Sequence, residues 1–284
     1  DIPYYINYDS SDVWANQQLF KLDNDKRPEF VAGVPPDYFS ETGQLWGNPV
    51  YNWDKHKESQ YLWWINRIGH NLSLFDKLRL DHFRGFVSYW EVDAGETTAL
   101  NGKWVNLDVT NFLDTLFSKF DKSNFIAEDL GLITDDVKDV IKKYDLPGMK
   151  ILLFAFGDDY PYGDYLPSNL ENNCVIYTGT HDNNTTLGWW CDEASDIEKN
   201  RVKEYLEKDV DKQTVNWELI ELAVSSRADT SIIPMQDLLE LGSSSRMNTP
   251  STTSGNWMWR LNSMENFQKI IEKLSGLSDY SSRG

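Results

Sequence analysis

Three carboxylates in this 284-residue chain stand where a short apolar run ends. Asp81 directly follows Leu78-Arg79-Leu80, and Glu128 directly follows Phe125-Ile126-Ala127. Asp182 follows Val175-Ile176-Tyr177 after the short step Thr178-Gly179-Thr180-His181. Gathered carboxylates suit glycosidic bond cleavage: one protonates the leaving oxygen, one attacks or steadies the oxocarbenium-like carbon, and a third holds sugar hydroxyls. Taken singly, an Asp or Glu after a strand is an ordinary helix cap or loop residue. Three of them, flanked by Arg79, His82 and His181, point instead to a site. Metal binding is the competing use of such side chains. The four His, at 56, 70, 82 and 181, are too scattered for a convergent ligand set, so no metal is expected. There is no GxGxxG, P-loop or GxSxG, and nucleotide or serine-hydrolase chemistry therefore lacks its usual signals.

Apolar runs suited to buried parallel strands appear at Ile2 to Ile6, Lys77 to Leu80, Phe125 to Ala127, Lys150 to Ala155, Val175 to Tyr177 and Ser231 to Met235. Amphipathic helical stretches follow or separate them at Glu58 to Phe75, Asn111 to Phe120, Asp135 to Tyr144, Ile197 to Lys208 and Thr214 to Arg227. This alternation predicts an α/β fold with a parallel sheet, either an open doubly wound sheet or six of the eight strands of a (β/α)8 TIM barrel. In a parallel barrel all C-terminal strand ends open onto one face, where carboxylates distant in sequence converge. No Ser/Gly/Pro linker divides the chain, so a single domain over 1–284 is expected.

Asp and Glu outnumber Lys and Arg by 45 to 27, and the net charge of −18 repels phosphate backbones and anionic lipid. Nucleic acid and membranes are not expected as partners, and no apolar run reaches transmembrane length. Two cysteines, Cys174 and Cys191, offer neither a disulfide framework nor a zinc motif, which suits a reducing, cytoplasmic setting. Asp1 stands where a start Met would, which reads as a cut end, and no leader segment is visible. Aromatic residues make up 14% of the chain, with 12 Trp, many beside polar residues as in Gln44-Leu45-Trp46-Gly47-Asn48. Such rings can stack on the C–H faces of sugars. Trp63 and Trp64 are instead expected in the core, in helical register with Tyr61, Ile65, Ile68, Leu72 and Phe75.

The segment Ala32-Gly33-Val34-Pro35-Pro36-Asp37-Tyr38-Phe39-Ser40-Glu41-Thr42-Gly43-Gln44-Leu45-Trp46-Gly47-Asn48-Pro49 resembles the substrate-binding loop of the 4-alpha-glucanotransferase (amylomaltase, disproportionating enzyme) family. Leu80-Asp81-His82-Phe83-Arg84-Gly85, Ala127-Glu128-Asp129-Leu130-Gly131, Thr180-His181-Asp182-Asn183 and Arg246-Met247-Asn248-Thr249-Pro250 resemble four further signatures in the family's order. The resemblance implies a (β/α)8 barrel of the alpha-amylase type. It also implies transfer of alpha-1,4-glucan segments to glucose or malto-oligosaccharide acceptors, with malto-oligosaccharides or starch- and glycogen-like glucan as partners and no cofactor. By the same resemblance Asp81 would be the nucleophile, Glu128 the general acid and then base, and Asp182 the transition-state stabiliser, assisted by Arg79 and His181. Tyr38, Phe39 and Trp46 would stack on the acceptor, while Asp37, Gln44, Asn48 and Asn248 would meet hydroxyls.

Arg79, two residues before Asp81 and thus on the same side of its strand, offers that carboxylate a counter-charge. Glu128 must carry a proton at working pH, which needs a dry pocket or negative neighbours. Asp1-Ile2-Pro3 resembles the family's third-strand segment, so the first two strands and the start of the third are expected to be absent. The chain departs from the family at Trp104-Val105-Asn106-Leu107-Asp108, where a Gly-Pro-Gly turn is usual, and at Asn184, where an acidic residue is common. Two other readings share these residues: a truncated glucan-binding chain without catalysis, and a related alpha-glucan hydrolase.

Overall fold

The computed structural model describes residues 1–36, 40–131, 133–264 and 267–280. Strands among them are β1 (Phe30–Val34), β2 (Gln44–Pro49), β3 (Leu78–Leu80), β4 (Ser88–Asp93), β5 (Lys103–Asn106), β6 (Phe125–Ala127), β7 (Gly148–Ile151), β8 (Cys174–Tyr177) and β9 (Thr230–Ile232). They fall into two compact units, Asp1–Gly148 and Met149–Gly284.

In the first unit β3 and β6 pair in parallel, with Leu78 opposite Phe125, Arg79 opposite Ile126 and Leu80 opposite Ala127. β6 is apolar throughout and β3 apolar on either side of Arg79, and Leu78, Leu80, Phe125 and Ala127 lose all solvent exposure. The expected strand from Ile2 to Ile6 reduces to one parallel bridge between Ile2 and Leu80. Ile2 donates to the Arg79 carbonyl and accepts from the Asp81 N–H. Pro3 has no N–H to extend that ladder, and Tyr4 and Tyr5 turn into the core instead.

A four-stranded sheet in the order β2-β1-β4-β5 was not anticipated from the sequence. Its pairs are all antiparallel, and its outer strands β2 and β5 carry more exposed than buried residues. That sheet holds the segment containing Gln44, Trp46 and Asn48. Backbones approach closely at Gly33, where a Cβ would lie 2.6 Å from the Gln44 carbonyl oxygen.

The helix expected from Glu58 to Phe75 forms as two, Trp53–Glu58 and Leu62–Leu72, broken by left-handed Gln60 and Tyr61 at φ 52° and 56°. Trp64 is wholly buried against Tyr51, Phe86 and Phe112, whereas Phe75, past the helix end, is 56% exposed. The helix Asp135–Tyr144 forms over the expected residues, and Val109–Phe117 follows an Asp108 cap that accepts from Asn111.

In the second unit β7-β8-β9 form a three-stranded sheet, β8 and β9 parallel and β8 wholly buried. The strand expected over Ser231 to Met235 ends at Ile232, two residues before Pro234, and the run Lys150 to Ala155 leaves β7 for a 3-10 turn at Leu152–Phe154. A Ser195–Glu198 capping box starts the helix Asp196–Leu206, and Val215–Val224 buries Leu219, Ile220 and Ala223. The helix Phe267–Tyr280, absent from the sequence reading, packs Ile270, Leu274 and Leu277 beside Trp217 and Met235.

Because Gly33 abuts β2 backbone, Gly33→Ala should destabilise the chain by about 1–3 kcal/mol through overpacking. Gly95→Ala, with nothing within 4 Å of a Cβ, should stay within about 0.5 kcal/mol. Urea denaturation of the two variants beside the parent checks this, and equal midpoints for both would refute the close approach.

Candidate active site

The parallel register that ends at Leu80 and Ala127 carries Asp81 and Glu128 out of the sheet at equivalent positions of neighbouring strands. Neighbouring strands lie about 4.8 Å apart, so the two carboxylate-bearing residues leave the sheet side by side. The pairing continues through them, since the Glu128 N–H donates to the Leu80 carbonyl at 3.1 Å. Arg79 Nη1 donates to Asp81 Oδ1 at 2.7 Å and to both carboxylate oxygens of Asp1 at 2.8 and 3.0 Å.

Immediately after Asp81 the backbone enters the left-handed region at His82, with φ 48°. This turn points the His82 N–H at Glu128 Oε2, 2.7 Å away, while the Leu130 N–H donates to Oε1 at 2.8 Å. A non-glycine residue in that region is strained, and here the strain accompanies a hydrogen bond to the candidate acid. Burial pushes the Glu128 carboxyl up to about 7. Asp81 pushes the same way, while Arg79 and the two backbone N–H donors oppose it without prevailing. His82 is pushed down to about 4 by burial, so its ring is neutral at pH 7.

Glu128 opens onto a cleft of about 220 Å³ that is also lined by Pro35, Pro36, Gln44, Trp46, His82 and Trp104. Trp46 meets His82 edge-on at 5.0 Å and Tyr5 at 6.0 Å, and its indole N–H donates to Gln44 Oε1 at 3.2 Å. Gln44 and Trp46 thus share one cleft with Glu128. Asn48, from the same strand, has a different engagement: its amide donates to the Ile6 carbonyl at 3.0 Å. Asp37, Tyr38 and Phe39 lie outside the described residues.

In the second unit Asp182 stands on the loop after β8. Asn248 Nδ2 donates to Asp182 Oδ1 at 2.6 Å, His181 Nε2 lies 3.4 Å from Oδ2, and Arg246 donates to the Asp182 carbonyl at 2.7 Å. His181 and Trp257 rings sit 5.1 Å apart and line one cavity with Thr180, Arg246 and Asp237. Asp237, wholly buried, accepts from the Thr178 hydroxyl at 2.5 Å and from the Thr186 N–H at 2.7 Å, tying together both ends of the loop that bears Asp182. Burial pushes the Asp237 carboxyl up.

Sequence reasoning assigned no role to Arg84, Trp104, Asp237, Arg246 or Trp257. Asp237 was detectable by the rule that found the others, an acidic residue shortly after a strand. Arg84 and Arg246 lie inside recognised motifs. Trp104 and Trp257 have no local signal beyond an aromatic residue among polar ones. Among the described residues no cluster of three His, Cys, Asp or Glu suits a metal ion, and no helix is long and apolar enough to cross a membrane.

Parallel strands that end in carboxylates have the layout of α/β enzymes. The chain belongs to the 4-alpha-glucanotransferase family, whose model matches residues 1–266. A 4-alpha-glucanotransferase of Aquifex aeolicus is 50% identical over 278 residues, covering 98% of this chain and 57% of the relative. A chloroplastic/amyloplastic 4-alpha-glucanotransferase of Solanum tuberosum is 47% identical over 279 residues, with 98% and 48% covered. An amylomaltase from Streptococcus agalactiae, solved in complex with acarbose, superposes with a TM-score of 0.93 at 38% identity, covering 100% of this chain and 57% of the other. The chain therefore spans about half the length of the relatives it matches.

The raised affinity of Glu128 for its proton has a consequence for stability. Between its ordinary value and about 7 the folded chain holds a proton that the unfolded chain has released, so stability conferred at low pH is lost as pH rises through 7. Glu128→Gln removes that titration, and the parent should lose stability relative to the variant between about pH 4.5 and 7.5 in urea titrations. Parallel curves for the two proteins would contradict the shift.

Proposed function

We propose that this chain carries the site of a retaining 4-alpha-glucanotransferase, transferring a segment of alpha-1,4-glucan to a glucose or malto-oligosaccharide acceptor. The observation that carries the reading is a carboxyl pushed up to about 7 at a strand end next to a carboxylate already ion-paired to arginine. One group is thereby suited to give a proton at neutral pH and the other to attack. The family membership supplies the substrate class.

In the first step an Asp81 oxygen bonds to the anomeric carbon and the glycosidic C–O bond breaks, while Glu128 gives its proton to the departing oxygen. In the second step Glu128, now a carboxylate, takes the proton of an acceptor hydroxyl. The hydroxyl oxygen bonds to the anomeric carbon, and the Asp81 carboxylate is released. Two inversions return the alpha configuration. Asp182 acts as the stabiliser that holds hydroxyls of the reacting glucose, a role supported by the family resemblance and by the fixed orientation that Asn248 gives its carboxylate. His181 and Arg79 assist, and Gln44 and Trp46 serve the acceptor side.

Asp37, Tyr38 and Phe39 join them by resemblance alone, as do Asn48 and Asn248 as hydroxyl partners. The chain supplies the later strands of a (β/α)8 barrel of the alpha-amylase type, a single partial catalytic domain over 1–284, in a cytoplasmic setting. No cofactor enters this chemistry.

Incubation with maltotriose tests the reading. The parent should give a ladder of longer and shorter malto-oligosaccharides plus glucose, Asp81→Asn should give none, and Glu128→Gln should turn over roughly 10²–10⁴-fold more slowly. Parent activity should fall as pH rises above about 7, where Glu128 loses its proton. Glucose and maltose without longer products would mean a hydrolase, and no turnover by a folded sample would mean a glucan-binding chain.

A further inference from the structure

We propose that Trp104, held in place by Arg84, is a second sugar-stacking wall of the Glu128 cleft and takes an acceptor glucose ring one step beyond the ring served by Trp46. This inference rests on the glucan-transfer reading above and adds a binding position to it.

Trp104 lies on β5 directly opposite Trp90 of β4, and the two rings meet at 5.3 Å and 69°. Trp90 is itself pinned, its indole N–H donating to the Ala99 carbonyl at 2.9 Å. The turn before β5 passes so close that a Cβ at Gly102 would lie 2.2 Å from Trp90 Nε1, which only glycine avoids. From another direction the Arg84 guanidinium lies 4.2 Å from the Trp104 ring centroid and donates to Thr134 Oγ1 at 2.7 Å. After Trp104 the chain continues β5 to Asn106, the Leu107 N–H donates to the Val87 carbonyl at 2.9 Å, and Asp108 caps a helix.

For all this support, Trp104 remains 39% exposed, and among the described residues its indole N–H has no acceptor. A rigidly oriented ring left open to a cleft, with a spare donor, has the chemistry that recognises a pyranose: an aromatic surface for C–H bonds and an N–H for a hydroxyl.

Its place in the cleft identifies which sugar. Glu128 protonates the leaving oxygen and later takes the acceptor's proton, so the ground beyond it belongs to the leaving and accepting chain. Leu130, Gly131 and Ile133 line the same cleft, and Thr134 anchors the Arg84 that lies against Trp104. Trp104 is held through Arg84 and through Thr134, which lies further along the chain than Glu128, whereas Trp46 meets His82, whose N–H binds Glu128 directly. A single glucose acceptor reaches the nearer position only, and a longer acceptor reaches both.

Acceptor kinetics at fixed donor test this with Trp104→Ala and Trp104→Phe. Trp104→Ala should raise KM for maltotriose as acceptor roughly three- to tenfold while leaving KM for glucose and kcat unchanged, and Trp104→Phe should restore most of the loss. Unchanged kinetics with maltotriose, or an equal loss with both acceptors, would overturn the proposal. A parent chain that makes no transfer products would sink the transfer reading alone. Calorimetric titration of maltotriose into the chain then decides the binding position by itself: weaker binding by Trp104→Ala supports it, and equal binding, or none by the parent, overturns it.

Discussion

Everything in the site follows from keeping two carboxyl groups at adjacent parallel strand ends. The register of β3 and β6 leaves no choice about the neighbourhood, because residue 81 must emerge beside residue 128. Two negative charges at roughly 5 Å repel by about 3 kcal/mol at an effective dielectric of ~20, so ionising both is costly. The chain resolves this asymmetrically. Arg79 is placed on Asp81, and Glu128 is buried until it holds its proton to about 7. Two backbone N–H donors still aim at Glu128, and such donors favour its charged form. The left-handed backbone at His82 delivers one of them, so local strain and this carboxyl are coupled through a single hydrogen bond.

The second unit builds its carboxylate differently. Asp182 rides on a loop whose two ends are held by one buried side chain, Asp237, through Thr178 and Thr186. Asn248 and His181 then fix the two oxygens of Asp182 separately. A loop is the adaptable part of an α/β fold, and tying its ends limits how far it adapts.

The parallel strands and most of the helices were legible because burial on both faces leaves an uninterrupted apolar run and a helix on a core leaves a 3.6-residue period. Asp81, Glu128 and Asp182 were legible because strand ends are visible in such patterns. The β2-β1-β4-β5 sheet was not, since its outer strands face solvent and carry Gly, Asn and Pro, and its central pairing, β1 with β4, joins residues some sixty apart, as Val31 with Val92. Arg84 on Trp104 was invisible for the same reason: a contact across twenty residues has no periodicity. Pro3 and the left-handed pair Gln60 and Tyr61 each cut an apolar pattern that periodicity alone extends.

In the proposed transfer Asp81 forms a bond to sugar while Glu128 governs the proton. Mass spectrometry of the Glu128→Gln chain after exposure to an alpha-maltotriosyl fluoride tests it most directly, because the fluoride leaves without an acid and the missing base stalls the second step. The account predicts one maltotriosyl addition, mapped by proteolysis to the peptide that contains Asp81. A folded chain that gains no sugar, or one that gains it at another residue, would contradict it.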